Sequence, residues 1–153
     1  MKTLEQIKTD LESNTQTTLT VEGNALSVPK EKIQAVARFL KSNSEYQMDY
    51  LSNLTCVDYK EYIEVVYHLY SVAKKEGSIT LKIKTDREKS LVPSVTSIWR
   101  GAEFQEREAY DLFGVNFEGH PDLRRILMWE GFEFHPLRKD YVQEDQDREP
   151  ANF

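Results

Sequence analysis

The chain has 153 residues, 39% hydrophobic and 30% charged, with 7 Phe, 8 Tyr and 2 Trp; that length suits one domain with an ordinary core, and the aromatic load excludes intrinsic disorder. Cys56 is the only cysteine, which excludes an intrachain disulfide framework, a CxxC redox pair and a four-cysteine zinc or iron–sulfur site. A formal charge of −6 has the wrong sign for a general phosphate-backbone binder, and no run approaches the roughly 18–20 apolar residues that cross a bilayer.

Leu4, Ile7 and Leu11 recur at i, i+3 and i+7 and predict a short amphipathic helix; Met1–Asn14 lacks the apolar run of a secretory signal. Thr18–Val21 and Ala25–Val28 flank Glu22-Gly23-Asn24 and predict a hairpin, Gly23 or Asn24 supplying a positive φ. Pro29 suits the first turn of a second helix that runs to about Ser42, with Ile33, Val36, Ala37 and Leu40 facing inward. Leu54–Tyr59 reads as a strand, and the glycosylation sequon Asn53-Leu54-Thr55 at its start reads as a chance match. Ile63, Val65, Tyr67 and Leu69 alternate on one face. Ile79, Leu81 and Ile83 alternate against Ser78, Thr80, Lys82 and Lys84, with a polar turn at Lys74–Gly77 between the two runs. That pattern predicts an antiparallel hairpin with one buried face. Packing both helices on it gives a two-layer α+β domain, with helices on a mixed or antiparallel sheet. The domain is expected over residues 1–141, with a polar tail over 142–153.

Further along, Leu91–Trp99 is predicted to be helical, with Pro93 in its first turn. Glu103–Phe113 is a second helix, closed by Gly114 in the position of a C-cap glycine. Val115–Phe117 is extended and Gly119-His120-Pro121 is a turn. Asp122 is placed to cap one or two helical turns carrying Arg124, Arg125, Ile126 and Leu127. From Trp129 onward the chain is expected to be largely irregular.

The charge is uneven. Residues 1–100 carry a net +1, residues 101–141 a net −4 and residues 142–153 a net −3. Four of the six glycines also fall after position 100. No GxGxxG follows a strand, and Gly114–Gly119 has phosphate-loop glycine spacing but continues as His120-Pro121, with Glu118 inside the would-be anion cradle. Glu106, Glu108, Asp111, His120 and His135 are the types that bind zinc or iron or share a proton transfer. Against a metal, the two histidines lie 15 residues apart and each precedes a proline, which suits a turn element whose ring caps a carbonyl or packs on Trp129. On the helix, Glu103, Arg107 and Asp111 repeat at i+4, a ladder that suits a solvated face. Arg124, Arg125, Arg138 and Lys139 follow within 32 residues of Arg107 and can pair with Glu106, Glu108 and Asp111. The region reads as a rigid charged platform, either internal to the fold or facing another protein.

Three blocks in this platform resemble a known signature. Glu106-Arg107-Glu108-Ala109-Tyr110-Asp111-Leu112-Phe113-Gly114, then Gly119-His120-Pro121-Asp122-Leu123-Arg124-Arg125-Ile126-Leu127, then His135-Pro136-Leu137-Arg138-Lys139-Asp140-Tyr141 are similar to the C subunit of respiratory complex I, the proton-pumping NADH:quinone oxidoreductase. The resemblance covers roughly residues 98–141, with Phe134 where the family has glycine and Val142 where it has proline. It implies a structural and assembly component of the peripheral arm, at the cytoplasmic face of the membrane. Such a component holds no flavin, iron–sulfur cluster or quinone of its own and packs chiefly beside the D and I subunits. It implies no catalytic residues, and an interface role for Glu106, Arg107, Glu108, Asp111, His120, Arg124, Arg125, His135, Arg138 and Lys139. The alternatives are the same module in a ferredoxin-linked or membrane-bound hydrogenase complex, and a small metal- or acid/base-dependent enzyme.

Overall fold

Three long strands form the centre of the molecule, a computed structural model that describes residues 2–143. They are β3 (Tyr50–Asp58), β4 (Tyr62–Ser71) and β5 (Glu76–Asp86). Ahead of them come α1 (Leu4–Thr15), the short strands β1 (Thr20–Glu22) and β2 (Ala25–Ser27), a 3₁₀ turn at Lys30–Lys32, and α2 (Ile33–Ser42). After them come β6 (Leu91–Pro93), α3 (Ala102–Phe113) and β7 (Asn116–Glu118). The five-stranded sheet has the order β1-β2-β5-β4-β3; its pairs are antiparallel except β2 with β5, which run parallel. The predicted α+β class is the one observed.

The alternation of the β4–β5 hairpin explains the core. Ile63, Val65, Tyr67, Leu69, Ile79, Leu81 and Ile83 are all fully buried. They meet Ile7 and Leu11 of α1 and Ile33, Val36, Ala37 and Leu40 of α2 in one apolar cluster. Burial of this kind contributes about 1.5–3 kcal/mol per large side chain. A capping box between Thr3 and Gln6 starts α1.

Three local expectations are corrected. β3 begins at Tyr50, four residues earlier than the alternation suggested, because a bulge between Leu51 and Asn53 breaks the period. Leu51 and Leu54 therefore both face inward at a spacing of three. Leu91–Trp99 is not a helix: β6 pairs in parallel with β7, and only a turn follows, with Ile98 and Trp99 donating to the Val95 carbonyl. The β-branched Val92 and the fixed φ of Pro93 suit the end of a two-stranded ribbon, and that partner lies beyond local pattern reading. The helical turns expected after Asp122 are also absent. The Asp122 carboxylate accepts from Arg124 Nε at 2.8 Å, and the amides that would have built the helix are engaged elsewhere. Of the tail expected over 142–153, residues 144–153 lie outside the described residues.

Helix α3 lies along the β3 edge. Its Gln105 side chain accepts the Leu54 amide, and the Trp99 indole just ahead donates to the Met48 carbonyl at 2.9 Å. Gly114, in the left-handed region at φ 76°, closes α3 by donating to the Tyr110 carbonyl. Its lack of a side chain matters twice, since a Cβ there would come within 2.6 Å of the His135 ring and 2.8 Å of Arg138. The carboxy-terminal segment thus packs directly against the end of α3.

Candidate functional site

The irregular chain after β7 has few backbone partners of its own, so its amides and carbonyls must be met by side chains. Two buried carboxylates supply most of what the amides need. Asp111, fully buried on α3, accepts four hydrogen bonds. Oδ1 takes Arg125 Nη1 at 2.7 Å, and Oδ2 takes the successive amides of Ile126, Leu127 and Met128 at 3.1, 2.7 and 2.9 Å. Burial opposes ionisation of Asp111, but the Met128 amide, the Arg125 guanidinium and the other two amides outweigh it and hold its pKa below the ordinary carboxyl value.

Asp58, at the inner end of β3, is the second carboxylate. Arg87 grips it with two parallel bonds of 3.0 and 2.9 Å, and the amides of Lys60 and Lys139 add one bond each at 2.8 Å. Arg87 reaches on to Asp140 at 2.8 Å. The Arg87 bonds, aided by the two amides, hold Asp58 far below the usual carboxyl range despite its burial. Neither Asp58 nor Arg87 was among the expected site residues. A signal existed: Leu54, Cys56 and Asp58 share the inward face of β3, and an acid on an apolar face requires a partner.

The arginines of the signature serve carbonyl groups more than carboxylates. Arg107 is nearly buried and donates through Nε to the Arg124 carbonyl at 3.2 Å and through Nη2 to the Arg125 carbonyl at 3.1 Å, with Phe104 stacked 5.5 Å away. Arg125 also reaches the Phe134 carbonyl at 3.1 Å. Arg138 donates to the Phe113 carbonyl at 2.7 Å and the Arg87 carbonyl at 3.1 Å. Of the expected pairings with Glu106, Glu108 and Asp111, only Arg125 with Asp111 forms. Glu108 and Arg124 are exposed, Arg124 pairing with Asp122, and the Lys139 ammonium lies 5.9 Å from the centre of the Tyr59 ring. The ladder Glu103–Arg107–Asp111 is not a solvated face, since Arg107 and Asp111 point inward.

Glu106 is fully buried and makes no salt bridge among the described residues. Its Oε2 accepts from Ser94 Oγ and its Oε1 from the Val95 amide, both at 2.7 Å, so it ties α3 to the turn after β6. Burial raises its pKa to about 7, against the opposing pull of those two bonds.

His120 and His135 each serve a turn. A carbonyl only accepts, so His120 Nε2, 2.9 Å from the Glu103 carbonyl, carries the proton, while Nδ1 accepts the Asp122 amide at 3.0 Å. By the same logic His135 Nδ1 donates to the Asp111 carbonyl at 3.1 Å, and burial together with Arg138 and Arg125 lowers its pKa. Both nitrogens of His120 are therefore engaged. The structure does not gather Glu106, Glu108, Asp111, His120 and His135 into one cluster. Among the described residues no group of three or more His, Cys, Asp or Glu side chains is placed to hold a metal ion. Cys56 is buried, which raises its thiol pKa well above the ordinary value.

What the arrangement does chemically is to turn an irregular segment into a fixed surface. On that surface stand Ile126, Leu127, Trp129, Phe134, Leu137 and Val142, six of the eleven large hydrophobic residues found exposed among the described residues.

The family described as respiratory-chain NADH dehydrogenase, 30 Kd subunit, matches residues 26–147. The Rhizobium meliloti (strain 1021) protein named as the C 2 subunit of NADH-quinone oxidoreductase is 49% identical over 120 residues, which are 76% of this chain and 65% of that protein. This chain therefore spans just under two thirds of that relative's length. A Phocaeicola vulgatus protein named as the C/D subunit of NADH-quinone oxidoreductase is 43% identical over 117 residues, 76% of this chain and 22% of the longer protein. Among solved structures, a chain of the membrane-bound sulfane sulfur reductase, an archaeal respiratory membrane complex, superposes with a TM-score of 0.72 at 31% identity, covering 90% of this chain and 84% of that one.

Proposed function

Because the chain belongs to the family of the 30 Kd subunit of respiratory-chain NADH dehydrogenase, we propose that it is the C subunit of an NADH:quinone oxidoreductase, with a structural and assembly role in the peripheral arm. On this reading it carries no flavin, iron–sulfur cluster or quinone of its own, and no reaction proceeds on it alone. It packs beside the proteins that form the quinone site and carry clusters, chiefly the D and I subunits, at the cytoplasmic face of the membrane. The relative named for both C and D supports the association with the D subunit, since there the two parts share one polypeptide. No helix among the described residues is long and apolar enough to cross a membrane.

One observation carries the reading. The charged residues of the signature direct their hydrogen bonds at the chain's own backbone: Asp111 at three amides, Arg107 and Arg138 at two carbonyls each. Groups engaged in this way shape a surface, whereas a reactive site needs groups aimed at a substrate. Arg107→Ala in the intact complex is therefore expected to reduce the amount of assembled complex on a native gel, with turnover per assembled complex near that of the wild type. Full assembly with lost turnover would overturn the scaffold role.

The likeness to the sulfane sulfur reductase complex supports a second reading, the same module in a ferredoxin-linked or hydrogenase-type complex. Electron donors separate the two. NADH-driven quinone reduction by the purified complex supports the first, and reduction that needs ferredoxin supports the second.

A further inference from the structure

We propose that Ser94 and Thr96 form a hydroxyl relay that carries a proton between the buried carboxyl group of Glu106 and solvent, and that the direction of its hydrogen bonds reverses with the charge on Glu106. The inference concerns this chain alone and stands apart from the functional reading above. Glu106 is 0% exposed, Ser94 is buried beside it and Thr96 is half-buried, so the three side chains run from the core toward the surface. The spacings suit a relay. Ser94 Oγ lies 2.7 Å from Glu106 Oε2 and 2.8 Å from Thr96 Oγ1, and either hydroxyl of that second pair is able to donate. The Thr96 amide adds a donor to Ser94 Oγ at 3.2 Å.

A serine hydroxyl has one proton to give and two lone pairs to receive, and both charge states of Glu106 use all three. When Glu106 is ionised, Ser94 donates to Oε2 and accepts from the hydroxyl and the amide of Thr96. When Glu106 is neutral, its carboxyl O–H donates to Ser94 Oγ, which keeps the Thr96 amide and turns its own proton to Thr96 Oγ1. Oε1 holds the Val95 amide in both states. On ionisation the carboxyl proton passes to Ser94, the serine proton passes to Thr96, and the threonine proton leaves to water. The fold need not open for this exchange.

The neighbouring groups leave the proton to Glu106. The Tyr67 hydroxyl of β4 is fully buried without a hydrogen-bond partner, and burial, followed by the charges of Glu106 and Cys56, pushes its pKa well above the ordinary value. Burial does the same to the Cys56 thiol of β3. From α2, Gln34 donates to the Ser94 carbonyl, Arg38 to the Ser97 hydroxyl and Lys41 to the Ile98 carbonyl. On α3 itself, Arg107 and Asp111 are turned toward the carboxy-terminal segment. Burial sets the Glu106 pKa at about 7, so the relay reverses near neutrality.

Carboxyl carbon-13 NMR of the full chain, titrated with acid and base, follows the charge on Glu106 directly. The wild-type midpoint is expected near 7. Ser94→Ala removes a donor to the carboxylate and is expected to raise the midpoint, the proton being held about tenfold more tightly. Thr96→Val takes away the acceptor that the Ser94 proton needs in the neutral state. It therefore favours ionised Glu106 and is expected to lower the midpoint, the proton being held about threefold less tightly. Thr96→Ser keeps the hydroxyl and is expected to restore the wild-type value. Shifts of opposite sign are the mark of a reversing relay, because a merely structural role would move both variants the same way. If circular dichroism shows Ser94→Ala unfolded, Thr96→Val decides alone, since residue 96 is half-buried and does not touch Glu106. A midpoint that rises or stays in Thr96→Val overturns the proposal, as does a folded Ser94→Ala whose midpoint does not rise. A Thr96→Ser variant that behaves as Thr96→Val also overturns it, and so does a wild-type midpoint in the ordinary carboxyl range or above about pH 9.

Discussion

Residues 4–86 and residues 119–143 are ordered by different physics. In the first region helices and strands pair their own backbones, which frees the side chains to be apolar and to pack; Ile7, Leu40, Tyr67 and Leu81 are buried with no charged group required. In the second region the backbone pairs little with itself, so the burden passes to Asp58, Asp111, Arg107, Arg125 and Arg138. The lesson is that a charged signature can mark an irregular fold as readily as a reaction. Buried amides and carbonyls must find partners, and where secondary structure does not provide them ionised side chains do so most strongly.

Substitutions can break this contrast, and the largest effect is expected at its hinge. Asp111→Ala leaves Arg125 and three amides without their acceptor and should lower stability by about 4 kcal/mol, in line with removing one partner of a buried charge pair. Urea denaturation measures the loss. Hydrogen exchange should show it concentrated at Ile126–Met128, and uniform loss through β4 and β5 would remove the distinction between the regions. Leu69→Ala, in the fully buried face of β4, should cost about 3 kcal/mol through lost burial and a cavity. Here every probe should unfold together, so a separate early transition in the sheet would contradict the picture of one cooperative core.

Gly114→Ala comes next, at about 2 kcal/mol. The residue sits at φ 76° and the new Cβ meets His135 and Arg138, so the segment should loosen while α3 persists. Near-UV circular dichroism of Trp129 would report the change, and an unaltered spectrum would show that the end of α3 does not position the aromatic surface. The smallest effect at neutral pH is expected for Glu106→Gln, about 1 kcal/mol, because the amide still accepts from Val95 and can donate to Ser94.

The pH dependence of Glu106 is the sharper test. Its folded pKa of about 7 lies above the ordinary 4.5, so its contribution is complete below the unfolded value and is lost as pH rises through about 7. Thermal melts should show the corresponding decline from about pH 4.5 to pH 7 in the wild type, and a flatter profile in Glu106→Gln. Asp58 and Asp111 have the opposite sign. Their pKa values are depressed, so their contribution is present above the ordinary carboxyl pKa and is lost as pH falls through the folded values. Acid should therefore release the carboxy-terminal segment, while rising pH should weaken the tie between α3 and β6.

The parts of the fold that were legible in the sequence are the parts with a repeat. The 3.6-residue spacing of Leu4, Ile7 and Leu11 and the two-residue alternation of β4 and β5 needed no partner to be recognised. Gly114 marked the end of α3 for an equally local reason. The start of β3 was hidden because one bulge puts the alternation out of phase. β6 was read as helix because its partner β7 lies 25 residues further along the chain. In the site, the charged signature drew attention to Arg107, Asp111, Arg125 and Arg138, yet it suggested ion pairs where the structure has mostly bonds to carbonyls. Asp58 and Arg87 carried no motif, only an acid on an apolar face.

What the sequence determined by itself is the α+β class, the two helices, the central hairpin and the family signature, all of which are written as local patterns or contiguous words. What only the tertiary structure decided is which carboxylate holds which amide. Asp58 meets the amide of Lys139 across 81 residues of chain, and Asp111 meets Met128 across 17. A backbone amide is the same group at every position but proline, so no residue type announces that it will be bonded from afar. That choice follows from where the strands and α3 place the two acids, and the shape of the aromatic surface follows from it.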